Sequence, residues 1–192
     1  MHVAVFLDRD GTINEEMGYI NHLDRFVLLP SAAVAIRRIN ESGLKAVVIT
    51  NQSGAARGYF PVDLIDQVHQ RMSGLLEEEG AFLDGIYTCT HAPSSKGESG
   101  GCGCRKPKIG LMKQAAHELN LDLEKSYVVG DRYKDMEMAR NAGAKAILVL
   151  TGYGRGELEF LGPSSRVQAD FVAKDLAEAV EWILSDMSEK AS

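Results

Sequence analysis

Short, unbroken apolar runs recur along this chain, and each is followed by a stretch with helical periodicity. Residues 3–7 and 146–150 are such runs, 44–49 and 126–129 are nearly so with Lys45 and Ser126 near their starts, and 85–88 is a weaker one. They lack the in–out alternation of a half-exposed strand, so they read as strands covered on both faces. Helical stripes separate them. Ala32, Ala35, Ile36 and Ile39 mark a helix over 31–41, with Ser31 as its expected N-cap and Gly43 near its end. Leu64, Ile65, Val68, Met72, Leu75 and Leu76 mark another over 61–79, and further helices are expected over 109–119, 133–141 and 174–187. Strands alternating with helices imply βαβ units. The expected fold is therefore α/β, a doubly wound, mostly parallel sheet with helices on both faces. Residues 152–168, with Pro163 and several glycines, read as a surface loop.

The chain has 192 residues, which suits a single domain over 1–192. Hydrophobic residues make up 45% and charged residues 25%, an ordinary globular balance. A net charge of -6 argues against a nucleic-acid partner held by a general basic field. No apolar run approaches the roughly 18 residues of a membrane span, and no export signal opens the chain. A cytoplasmic protein without a membrane partner is the expectation.

In an open parallel sheet, chemistry gathers at the carboxyl ends of the strands. Asp8-Arg9-Asp10-Gly11-Thr12 occupies such an end, and Gly11 permits the turn that lets two carboxylates approach one centre. One carboxylate can attack phosphorus, and the other can protonate the leaving oxygen and later deprotonate water. A carboxylate meeting a phosphate dianion needs a hard cation between them, for which Mg2+ is the usual choice. The same two aspartates can instead be turn formers. Gly130-Asp131 follows another strand and can bring Asp131 to the same cation. Asp135 is either a partner behind it or an acid complementing a helix dipole.

The three cysteines make a poor disulfide framework. Cys89-x-His91 is followed after ten residues by Cys102-x-Cys104, and three thiolates with one imidazole suit a closed, structural, tetrahedral Zn2+ site. Such a zinc loop, about 89–108, runs straight into Arg105-Lys106. Thiols without metal are the alternative. His69 and His117 fall on expected helices and read as solvated or structural, His2 is terminal, His22 reads as a surface residue with an approach to ligand as the alternative, and Arg9, either a surface residue or an ion-pair former, receives no role.

Asp8-Arg9-Asp10-Gly11-Thr12, Thr50-Asn51-Gln52-Ser53-Gly54, Arg105-Lys106-Pro107 and Gly130-Asp131 occur in the order of haloacid dehalogenase-type phosphohydrolases. Over about residues 3–151 the chain resembles the branch of that family acting on D-glycero-D-manno-heptose 1,7-bisphosphate. The resemblance implies a doubly wound core without a large cap domain. It implies Asp8 as nucleophile, Asp10 as general acid/base, and Mg2+ held by the Asp8 and Asp131 side chains and the Asp10 main-chain carbonyl. Thr50 would donate to the transferring phosphoryl group, and Lys106 would neutralise its charge. Substrate contacts would come from Glu16, Met17, Gly18, Tyr19, Asn51, Gln52, Ser53 and Arg105. Where some relatives carry lysine after the metal aspartate, this chain has Arg132. The implied reaction removes the C7 phosphate from a small-molecule sugar phosphate, in a monomeric enzyme serving nucleotide-activated heptose and lipopolysaccharide or other surface polysaccharide synthesis. A histidinol-phosphate phosphatase of histidine biosynthesis is the alternative within the superfamily. A phosphate-binding module without turnover is the alternative outside it, and the paired Asp8 and Asp10 argue against that.

Overall fold

The computed structural model describes residues 1–93 and 101–191. At its centre is a six-stranded, wholly parallel sheet in the order β3-β2-β1-β4-β5-β6. The strands are β1 (Ala4–Leu7), β2 (Lys45–Asn51), β3 (Gly85–Cys89), β4 (Tyr127–Gly130), β5 (Lys145–Val149) and β6 (Phe171–Ala173). The chain starts in the middle with β1 and steps outward through β2 to β3. It then crosses back to lay β4 on the other side of β1. The order reverses between β1 and β4, and the crevice above their carboxyl ends is where a ligand is expected in such a sheet.

Successive strand residues feed two separate cores. Val5, Leu7, Ala46, Val48, Tyr127, Val129, Ile147 and Val149 join the layer built with α1 (Ala32–Glu41), α2 (Asp63–Glu78) and α6 (Leu176–Ala191). Ala4, Phe6, Val47, Ile49, Val128, Ala146 and Leu148 face α3 (Gly110–Leu119) and α4 (Tyr133–Ala142). Every residue of β1 is buried, which is the physical reason for its unbroken apolar run. Truncating one of its large side chains, as in Phe6→Ala, is expected to cost about 3–5 kcal/mol. Among the described residues no large cap domain interrupts this order, and no helix is long and apolar enough to cross a membrane.

Three local expectations are corrected. Ser31 makes no side-chain cap, because its backbone is already helical (φ -85°, ψ -10°) and its carbonyl accepts from Ala35 N–H. Strand β6 was not foreseen: three residues are too few to show a pattern. It is identified by its pairing with β5 and by Phe171 stacked on Trp182, with ring centroids 5.1 Å apart. Residues 152–168 are not a plain surface loop. They contain the single turn α5 (Gly154–Gly156) and further helical turns through Ser164, and they bury Glu157. Its carboxylate accepts from Tyr133 N–H at 2.7 Å and from Arg132 Nε at 3.2 Å, so this segment caps α4 from across the fold. Of the expected loop over 90–108, Gly97 and Gly100 lie outside the described residues.

Candidate active site

The carboxyl ends of β1 and β4 set Asp8 and Asp131 side by side, and the first turn of α4 adds Asp135. All three are buried, with carboxylate oxygens lying within 4.8 Å of one another. The Lys106 ammonium reaches in from the loop before α3, 2.8 Å from Asp8 Oδ1 and 2.7 Å from Asp135 Oδ1. Asp135 is therefore a counter-ion of Lys106 as well as a first-turn acid. Among the described residues, Asp131 Oδ2 accepts one backbone donor, Tyr153 N–H at 2.9 Å, while Oδ1 is buried with no hydrogen-bond partner. Burial, and then the charges of Asp8 and Asp135, push the Asp131 carboxyl up to about 8. Burial also raises Asp8, against the opposing pull of Lys106. Burial alone would lower Lys106, but Asp135 and Asp8 reverse it and hold the ammonium charged. Acidic oxygens crowded together and short of donors have the chemistry of a hard divalent cation site. The free Oδ1 of Asp131 fits a ligand atom.

Two glycines hold Asp131 in place. Gly11 and Gly152 have φ of +81° and +54°, where side chains are strained. A Cβ on either would stand 2.1 or 2.2 Å from Asp131 Oδ2. Thr151 Oγ1 donates to the Gly11 carbonyl at 2.6 Å and ties the two loops together.

Asp10 has the opposite surroundings. Arg9 Nη2 donates to both of its oxygens at 2.9 Å, Asn14 Nδ2 to Oδ1 at 3.0 Å, and Gln52 Nε2 to Oδ2 at 2.8 Å. Burial would raise its carboxyl, but Arg9, Asn14 and Gln52 hold it below the usual carboxylate range. Gln52 also donates to Thr50 Oγ1 at 2.9 Å, which leaves the Thr50 hydroxyl proton free to point elsewhere. Asn51 Oδ1 accepts from Lys106 N–H at 3.2 Å and so clamps the loop that delivers the ammonium.

A cavity of about 210 Å³ opens above these groups. The sequence-expected residues Asp8, Asp10, Thr50 and Asp131 border it, as do Glu16, Gly18, Tyr19, Asn51, Gln52, Ser53, Arg105 and Arg132. Met17 does not; its side chain packs against the core. Lys106 does not border the cavity either; its buried ammonium lies against Asp8 and Asp135. Glu16 is raised by burial first, with Asp10 and Asp8 adding to it. Arg132 lies 4.5 Å over the Tyr153 ring. Lys134 and Tyr153 also border the cavity and were missed. The basic spacing Arg132-x-Lys134 carried the signal for the first. Nothing local marked Tyr153, which depends on how the segment after β5 folds back. Arg9 and His69 are buried, so of the alternatives the ion pair holds for Arg9 and the structural reading for His69.

At the edge of the sheet, β3 ends in Cys89, and His91, Cys102 and Cys104 converge on it. Their Sγ and Nδ1 atoms lie within 4.8 Å of one another, with Cys89–Cys102 at 3.6 Å and His91–Cys104 at 3.1 Å. These separations fit four ligands around one tetrahedral ion. Arg105 Nη1 donates to the His91 carbonyl at 3.3 Å, which joins the cluster to the cavity rim.

A sheet of this order, with buried acids at its switch point and a lysine set against them, defines a hydrolase of the haloacid dehalogenase type. The family described as "HAD-hyrolase-like" matches residues 103–179. The D-glycero-D-manno-heptose-1,7-bisphosphate 7-phosphatase of Thermosynechococcus vestitus is 42% identical over 97% of this chain and 98% of its own length. The D-glycero-beta-D-manno-heptose-1,7-bisphosphate 7-phosphatase of Haemophilus ducreyi is 40% identical over 94% and 97%. Among solved structures, the D,D-heptose 1,7-bisphosphate phosphatase of B. bronchiseptica, complexed with magnesium and phosphate, superposes with a TM-score of 0.85. It is 33% identical over 97% of this chain and 99% of that one. The chain belongs to the heptose-1,7-bisphosphate 7-phosphatase family.

Proposed function

We propose that this chain is a Mg2+-dependent phosphatase that removes the C7 phosphate of D-glycero-D-manno-heptose 1,7-bisphosphate and releases heptose 1-phosphate. The observation that carries the reading is the buried trio Asp8, Asp131 and Asp135 with Lys106 against it, opening into a cavity whose rim bears Arg105, Arg132 and Lys134. A bisphosphate needs cationic contacts at two places, one at the reacting end and one at a distance, and this cavity provides both. The names of the relatives favour the heptose substrate over histidinol phosphate.

Asp8 attacks phosphorus, forming an Oδ–P bond as the bond from phosphorus to the C7 oxygen breaks. Asp10 gives that oxygen its proton. Asp10 then takes a proton from the water that attacks the aspartyl phosphate, which frees inorganic phosphate and restores both carboxyl groups. Asp10 enters the first step protonated. Its tight donor set favours the carboxylate, so it is better suited at rest to the second. Thr50 donates to a phosphoryl oxygen, and Lys106 offsets the charge gathered on the others. A Mg2+ ion on the Asp8 and Asp131 side chains and the Asp10 carbonyl would screen the nucleophile from the phosphate it must approach. Glu16, Gly18, Tyr19, Asn51, Gln52 and Ser53 face the sugar, and Arg105 and Arg132 hold the distal phosphate. Zn2+ would be held by Cys89, His91, Cys102 and Cys104 and would be structural, since four protein ligands would leave no open position. The whole chain serves as one catalytic domain, a monomer working in the cytoplasm.

The test is a rate comparison on both anomers of the heptose bisphosphate and on histidinol phosphate, with and without Mg2+. Faster Mg2+-dependent release from a heptose bisphosphate is expected. Preference for histidinol phosphate, or turnover indifferent to Mg2+, would overturn the reading.

A further inference from the structure

The reaction above makes no use of a buried polar chain that runs from Asp10 away from the cavity. Arg9 is 2% exposed and lies behind Asp10, with Nη2 bonded to both carboxylate oxygens and Nε 3.3 Å from Oδ1. Its remaining terminal nitrogen, Nη1, meets His69 Nε2 at 3.3 Å. His69 comes from the middle of α2, 60 positions further along the chain, and is itself buried. A guanidinium can only donate. The contact therefore requires a lone pair on Nε2, which places the ring proton on Nδ1 and leaves the imidazole neutral. Burial and the Arg9 charge, outweighing Asp66 and Asp10, hold the imidazole near a pKa of about 4 and agree with the neutral form.

We propose that His69 is a positioning residue for the leaving-group proton transfer: by accepting from Arg9 Nη1 it fixes the guanidinium plane, and that plane fixes the aim of the Asp10 carboxyl. Asn14 and Gln52 each hold one oxygen of the Asp10 carboxylate, and Arg9 adds a hold on both only as far as its own plane is fixed. A second anchor on a different element converts it into a fixed bracket. The residue type also matters. An anionic acceptor at this position would compete with Asp10 for the Arg9 charge, whereas a neutral acceptor leaves that charge to Asp10. This inference rests on the reading of Asp10 as the group that protonates the leaving oxygen.

Two conservative variants and two substrates test it. Glutamine places its acceptor where Nε2 lies, and asparagine reaches only as far as Nδ1. With heptose 1,7-bisphosphate, whose leaving alkoxide needs a proton, His69→Asn should lower kcat about tenfold with KM unchanged. His69→Gln should stay within about threefold of the unaltered enzyme. With p-nitrophenyl phosphate, whose leaving group departs without a proton, neither variant should change the pre-steady-state burst of p-nitrophenolate, which reports transfer to Asp8 before Asp10 acts on water. Asp10→Asn is the benchmark. If Asp10→Asn slows the p-nitrophenolate burst as much as it slows the first turnover of the heptose bisphosphate, the reading of Asp10 as the leaving-group acid fails. If Asp10→Asn separates the two substrates in that first turnover but His69→Asn and His69→Gln behave alike, or slow the first turnover of both substrates equally, the role of His69 is overturned. Circular dichroism and melting curves establish that each variant is folded before rates are compared.

Discussion

Asp8 and Asp10 stand two residues apart on one turn, yet their surroundings are opposite. Asp8 belongs to a floor where it and Asp135 flank the Lys106 ammonium and one oxygen of Asp131 has no hydrogen-bond partner among the described residues. Asp10 belongs to a wall where Arg9, Asn14 and Gln52 saturate both of its oxygens. The floor carboxyls Asp8 and Asp131 are pushed up and the wall carboxyl is pulled down. The difference separates two jobs. A floor starved of donors is unstable until a cation binds it. A donor-rich wall is complete without one and can hold a proton-transferring group still.

The widest split between the two regions should appear on neutralising one acid from each. Asp131→Asn keeps the shape and the Tyr153 contact but removes a charge from the crowded floor. Turnover should fall about a thousandfold through loss of the cation. The melting temperature of the metal-free protein should nevertheless rise, by about 2–8 °C. Asp10→Asn should also disable the enzyme but shift stability the other way. It leaves the Arg9 guanidinium buried without its counter-charge, at a cost of about 3 kcal/mol, the low end for such a break because Asp10 keeps 20% exposure. Melting curves moving in the same direction for both variants would erase the distinction.

Gly152→Ala probes how tightly the floor is held. Its Cβ would stand 2.2 Å from Asp131 Oδ2 and 2.6 Å from Gly11 Cα, on a backbone of positive φ. Activity should fall about a hundredfold, as for a displacement near 1 Å. The Mg2+ concentration for half-maximal rate should rise, while p-nitrophenyl phosphate and sugar phosphate should suffer alike. Loss restricted to the sugar phosphate would place the damage on the wall instead.

The floor and much of the wall were legible in the sequence, because both lie at strand ends, where an apolar run stops at a polar residue. Asp8 and Asp131 were found that way, Thr50 and Lys106 came from the family resemblance, and the cysteine spacing anticipated the cluster at the end of β3. What the sequence hid depends on contacts between distant segments. His69 sits on the buried stripe of α2, and its partner is 60 positions away. Glu157 was hidden inside a segment whose glycines and proline looked like solvent-exposed loop. Strand β6 is defined by its neighbour β5, not by its own residues. Met17 was assigned to the cavity with its segment, but its side chain turns to the core while Glu16 and Tyr19 flank the opening.

The loop carrying Lys106 links floor and cysteine cluster, and Cys102→Ser should show how firmly. Elemental analysis should find about one zinc per chain in the unaltered protein and little in the variant. With the loop loosened, Lys106 should lose its fixed seat between Asp8 and Asp135, and kcat should drop about tenfold, less than for Gly152→Ala. Zinc absent from carefully purified unaltered protein, or full activity without it, would detach the cluster from catalysis.

The smallest expected effect lies at the outer end of the wall and is read as stability, not rate. The His69 imidazole is lowered from 6.5 to about 4 by burial and by Arg9, against the opposing charges of Asp66 and Asp10. Above pH 6.5 it is neutral in both folded and unfolded chains and contributes no pH dependence. Between 6.5 and 4 the unfolded chain takes up a proton that the folded one refuses, so stability falls as pH falls. Below 4 the penalty is complete, at about 3 kcal/mol. His69→Gln cannot titrate. The unfolding free energy of the unaltered protein should therefore lose about 2–3 kcal/mol relative to this variant between pH 7 and pH 4.5. The floor acids are common to both proteins and cancel in the difference. Parallel stability curves across that range would mean that His69 is not held neutral against Arg9. The wall would then end at Arg9.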